Sequence, residues 1–172
     1  MQEEFKILAA AESGNLALFE SLITPTTNFN FVDTNGLSAL MHASANGHIV
    51  VTSSLIQAGA QLDLQDKYGR SALMFAASRN HAEIAQLLIE AGAQLDLQNK
   101  HGATALMIAA YYGHLSTASL LIEAGANITL QEHAGATALA WASANGHLYL
   151  AKRLRIAKKE LDKNYNIANS SK

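Results

Sequence analysis

Alanine- and leucine-rich stretches alternate along this chain with short runs in which polar and apolar residues take turns, and the whole pattern returns every 33 residues. AGAQLDLQ occupies 58–65 and again 91–98, LLIEAGA 87–93 and 120–126, and ASANGH 43–48 and 142–147. In each period an Ala-rich stretch such as ALMFAASR or ALMIAAYY predicts a short first helix, whose small residues let neighbouring helices approach closely. A second helix is read from apolar positions three and four apart, as in Ile84, Leu87 and Leu88, or Leu115, Ala118, Leu121 and Ile122. The alternation QLDLQ or NITLQ then forms an extended return to the next period.

Punctuation agrees with that reading. Gly36, Gly69, Gly102 and Gly135 each stand two residues before Ser38, Ser71, Thr104 or Thr137, so a tight turn leads into a hydroxyl-capped helix. The first helix stops at Gly47, Gly113 and Gly146, with Asn80 in the equivalent place of one period. Asn is the non-glycine residue that best tolerates the left-handed conformation this stop requires. Gly59, Gly92 and Gly125 end the second helix. A fixed period of this length specifies a stacked array in which each unit buries its apolar faces against its neighbours.

The register divides a single domain, 1–164, into internal units 33–65, 66–98 and 99–131, a C-terminal cap unit 132–164 and an N-terminal cap 1–32. In the N-terminal cap the stretch 7–24 repeats the two-helix part without a preceding turn, and Glu3, Glu4, Glu12 and Glu20 keep its outer surface polar. In the last unit Lys152, Arg153, Arg155, Lys158 and Lys159 replace the apolar second helix, as the end of a stack requires. Residues 165–172 read as a flexible tail.

These residues resemble the ankyrin repeat, whose consensus runs D-x-x-G-x-T-P-L-H-x-A-A-x-x-G-H and closes with L-L-x-x-G-A-x-x-N. The resemblance extends from Ile7 to Asn164 and implies an all-α solenoid of stacked helix-loop-helix units joined by β-turns. The consensus tetrapeptide T-P-L-H reads SALM at 38–41 and 71–74, TALM at 104–107 and TALA at 137–140. The proline that presets the first turn and the histidine that braces it are both replaced, so each unit is expected to be less stable than a consensus one. That form is closer to bacterial than to animal members, which raises delivery into a host cell as an effector. No segment of the tail reads as a secretion signal.

Composition narrows the function. A net charge of −2 argues against nucleic acid or anionic membrane as the main ligand, and the absence of cysteine removes disulfides and thiol chemistry. The N-terminus carries acidic residues where a signal peptide would be basic, and no stretch is long and apolar enough to span a bilayer. The expectation is a cytoplasmic monomer rather than an oligomer.

Candidate chemistry is sparse. His48, His81, His114 and His147 recur at the period, but equivalent residues of stacked units lie ~8–10 Å apart and cannot converge on a metal ion. They are read as structural residues at helix starts, and His42 as a half-buried, satisfied histidine. Met41, Met74 and Met107 recur inside the first helix and are assigned to the core, as is Trp141. No phosphate loop, nucleophile elbow or zinc-protease motif is present, and neither catalysis, a cofactor nor a small-molecule substrate is expected.

What the resemblance implies is recognition of a partner protein on the concave face, as an adaptor, scaffold or inhibitor. Carried over by position, the turn tips give Thr34, Asn35, Leu37, Lys67, Tyr68, Arg70, Lys100, His101 and His133, and the ends of the first helices give Asn46, Arg79, Tyr111, Tyr112 and Asn145. The middle units concentrate Tyr, Arg, Lys and His, of which Tyr and Arg are the usual anchors of interfaces, and suit an acidic segment of the partner. The alternatives are self-association through the low-charge outer face, and binding of nucleic acid or another acidic surface by the basic C-terminal helix.

Overall fold

A computed structural model of the chain describes residues 2–170, with side chains described over 3–167. Among them stand ten helices: α1 (Gln2–Ser13), α2 (Leu16–Ser21), α3 (Ala39–Asn46), α4 (Ile49–Gln57), α5 (Ala72–Arg79), α6 (Ala82–Glu90), α7 (Ala105–Tyr112), α8 (Leu115–Glu123), α9 (Ala138–Ala144) and α10 (Leu148–Ser170). The odd-numbered helices pack successively against one another, and the even-numbered ones form a second layer behind them. The result is an all-α solenoid of five helical pairs.

Each first helix begins where a hydroxyl can cap it. The side chains of Ser38, Ser71, Thr104 and Thr137 accept from the backbone N–H three residues on, at 3.3, 3.4, 3.3 and 3.2 Å. That bond satisfies one of the free N–H groups of the first turn. Met41, Met74 and Met107 lie beside these caps and are buried, with Leu40, Leu73 and Leu106. Asn80 is the one non-glycine residue with a positive φ among the described residues, at 57°, and it ends α5 as Gly47 and Gly113 end α3 and α7.

The turns carry a second repeated device. The side chain of Asp33, Asp66, Asn99 or Glu132 accepts the N–H groups two and four residues ahead, at 2.7–3.0 Å, through one oxygen in the first three and both carboxylate oxygens in Glu132, and so closes each tip. Successive tips are then joined through the backbone: Lys67 N–H donates to Asn35, Lys100 to Tyr68 and His133 to His101.

The periodic histidines stand at the N-cap positions of α4, α6, α8 and α10 without capping them. Instead three of the rings bond back to the unit before. Nε2 lies 2.9 Å from the Glu12 carbonyl for His48, 3.3 Å from that of Ser78 for His114, and 3.0 Å from that of Tyr111 for His147. A Cβ on Gly14, Gly47 or Gly113 would come within 3 Å of the histidine ring that covers it, so these glycines serve both the left-handed turn and the seat of the ring.

At the C-terminus the helix does not stop at Asn164. Residues 165–170, expected as tail, continue α10, because nothing from Leu148 onward is a glycine or proline that would break it. Residues 171–172 lie outside the described residues.

Candidate functional site

On the side of the first helices, α5, α7 and α9 and the turns before them border an open groove of about 660 Å³. Its base is the edge of the core, Met74 and Met107, and its walls are Phe75, Ile108, Trp141, Tyr111 and Tyr112. The walls follow from the register. Phe75, Ile108 and Trp141 hold the same place in successive first helices, one residue beyond the buried methionine or its Ala140 equivalent, and are half-buried. Tyr111 and Tyr112 end α7 and are 44% and 53% exposed, far more than helix packing requires.

The aromatic groups hold one another. Tyr111 meets Trp141 edge-on at 5.1 Å between centroids and Tyr112 at 4.9 Å, and Tyr112 stacks on the His114 ring at 5.6 Å. A surface of this kind is fixed before any partner arrives, so little side-chain freedom is lost on contact.

The cations divide into two kinds. Arg70 is held by Asp66 at 2.6 Å, with its guanidinium 4.5 Å from the centre of the Phe75 ring and 5.0 Å from that of Tyr68, so it belongs to the wall. Arg79, at the end of α5, is exposed and makes no side-chain hydrogen bond or ion pair among the described residues. The nearby carboxylate of Glu132 accepts the N–H groups of Ala134 and Ala136, and these, followed by the neighbouring His133 and His101, hold its pKa below the ordinary value. It is a turn anchor, occupied within its own loop.

Of the residues expected at the interface, Arg70, Arg79, His101, Tyr111 and Tyr112 line this groove. Lys67, Tyr68, Lys100, His133 and Asn145 do not. Lys67 and Tyr68 sit on the preceding tip, where Lys67 Nζ donates to Asn35 and lies 5.3 Å from the Tyr68 ring centre. Asn145 donates from Nδ2 to the Trp141 carbonyl at 2.9 Å, which makes it a helix-end residue. Trp141 corrects the reading that put it in the core: like Phe75 and Ile108 at the same place of their helices, the indole is half-buried, with one side packed on the core and the other on the groove. Phe75, Ser78, Ile108 and Glu132 also line the groove without having been singled out, although the column shared by His42, Phe75, Ile108 and Trp141 was a usable signal.

A family model of ankyrin repeats (3 copies) matches residues 7–99 and 91–167. The chain belongs to the ankyrin repeat family. No curated protein matches its sequence. Within this ankyrin array His42 confirms its structural reading, half-buried with Nε2 3.3 Å from Asp33. No group of three or more His, Asp or Glu residues among those described is placed to hold a metal ion.

Proposed function

We propose that this ankyrin array binds a partner protein across its second to fourth units, with an acidic segment of the partner lying over the groove beside Arg79. Ankyrin repeats are in general protein–protein interaction modules, which supports the class of function. The observation that carries the finer reading is the pairing of an unpartnered Arg79 with pre-arranged aromatic walls, neither of which the stack needs. A partner carboxylate answers the guanidinium, and an apolar side chain beside it fills the space between Phe75 and Trp141. The role is that of an adaptor, scaffold or inhibitor, with no chemistry of its own.

The test is affinity capture from lysate with three forms of the full chain: wild type, Arg79→Glu/Tyr112→Ala, and a control altered at the exposed Asn46 in the first unit. Proteins retained by wild type and control but lost by the double variant support the groove. Their affinities, measured with purified partner, should fall by ~1–2 kcal/mol or more for Tyr112→Ala alone, at unchanged melting temperature. Equal retention by all three forms would exclude the groove as the interface.

A further inference from the structure

The last helix has an outward face that the stack leaves uncovered. α10 is 23 residues long against 9 in α4, α6 and α8, so it runs for about 34 Å at ~1.5 Å per residue. Leu150, Ala151 and Leu154 turn inward and are buried. On the other side two parallel strips run along the helix. One is Tyr149, Ile156 and Ile167, exposed at 83%, 42% and 56%. The other is Lys152, Lys159 and Lys163, all exposed. At about 100° per residue these six fall within an arc of about 80°.

The acidic residues of this helix do not cancel the lysines. Glu160 borders the apolar strip and Asp162 stands outside the arc, while Arg153 is paired with Glu123 of α8 at 2.6 Å. The face is therefore cationic along one edge and apolar along the other.

We propose that this face of α10 lies on an anionic lipid surface, with the lysines among the headgroups and Tyr149 and Ile156 at the acyl boundary. Both strips are used by such a surface, because aromatic and aliphatic groups partition into the interface while lysines meet its negative potential. A nucleic acid would engage the lysines and leave the apolar strip in water. The attachment is peripheral: no helix among the described residues is long and apolar enough to cross a membrane.

Co-sedimentation of the full chain with vesicles tests this. Binding is expected to phosphatidylcholine vesicles containing phosphatidylserine and not to pure phosphatidylcholine. Lys152→Glu/Lys159→Glu/Lys163→Glu should lower partitioning on the order of a hundredfold. Tyr149→Ser/Ile156→Ser, which keeps the charge, should lower it about tenfold. Arg79→Glu/Tyr112→Ala should partition as wild type, which separates this site from the groove. All altered positions on α10 are exposed, and circular dichroism melts confirm that each variant is folded. Absence of binding to either vesicle overturns the proposal. So does binding that the Tyr149/Ile156 variant retains in full, especially with equal affinity for a single-stranded oligonucleotide or polyglutamate, since that describes a general polyanion site.

Discussion

The first internal unit, 33–65, and the third, 99–131, share a backbone and differ in what hangs from it. Both begin with a turn closed by an acidic or amide side chain, both cap the first helix with a hydroxyl, and both end it at a glycine with positive φ. Off that frame they part. Where the third unit has Ile108 facing the groove, the first has His42 held by Asp33. The third unit ends its first helix with exposed Tyr111 and Tyr112, while in the first Asn46 folds back on the His42 carbonyl. In the core the third unit has Ala110 and Ala118, and the first has Ser44 and Thr52, whose buried hydroxyls find no partner. The frame decides the fold; the residues outside it decide whether a unit presents a surface or only holds its place.

The largest expected effect probes the brace between units. Gly113 has φ of 72°, and a Cβ there would stand 2.4 Å from His147 Nδ1, so Gly113→Ala both strains the backbone and displaces a ring bonded to Tyr111. Gly47 has the same conformation, but the nearest atom of His81 is 2.9 Å away and that ring makes no hydrogen bond among the described residues. Gly113→Ala should cost about 2–3 kcal/mol in urea unfolding, and Gly47→Ala about 1–2. Equal losses at the two sites would show that the ring adds nothing to the backbone strain.

Next come the orphan hydroxyls. Giving the first unit the residues of the third, through Ser44→Ala and Thr52→Ala, should raise stability by about 1 kcal/mol each by removing a buried group without a partner. Ala118→Thr in the third unit should do the opposite by a similar amount or more. A lower melting temperature for Thr52→Ala would mean that its methyl group fills space the alanine leaves empty.

The smallest effect is the pH dependence that Asp33 contributes in the first unit. Partial burial works to raise the Asp33 pKa, but the N–H groups of Leu37 and Asn35 together with His42 outweigh it and leave the pKa lowered. The folded-state pKa then lies below the unfolded one. The stabilisation is complete above the unfolded carboxyl pKa and disappears as the pH falls through the folded value. Asp33→Asn should therefore flatten the acid limb of a stability–pH curve, whereas Asn99→Asp should steepen it. An unchanged acid limb in Asp33→Asn would remove this carboxylate from the account.

Much of the frame was legible because its devices are local. A hydroxyl two residues after a glycine, and an asparagine where other units have glycine, specify cap and stop from backbone preferences alone. The groove was legible only in part. The period sets Phe75, Ile108 and Trp141 in one column, but which side of that column stays open depends on how whole units stack. Trp141 was accordingly assigned inward from its place in the period, whereas Tyr112 was assigned outward only by the position it shares with the ankyrin recognition surface. The length of α10 escaped for a different reason: loss of the repeat after Asn164 was read as loss of structure, although Tyr165 to Ser170 contain nothing that stops a helix. The histidines were placed correctly at helix starts, but their bonds run to carbonyls 36 residues back, beyond any local signal.

Those backward-reaching rings bear on how such a chain can change over evolutionary time. Three of the four periodic histidines bond a carbonyl of the unit before, and His81 only lays its ring over Gly47. A duplicated block of 33 residues that contains such a histidine would carry with it the group that couples it to the unit before. Tyr111, Tyr112 and Arg79 sit on such blocks as cargo, free to be reshuffled while the connectors stay the same.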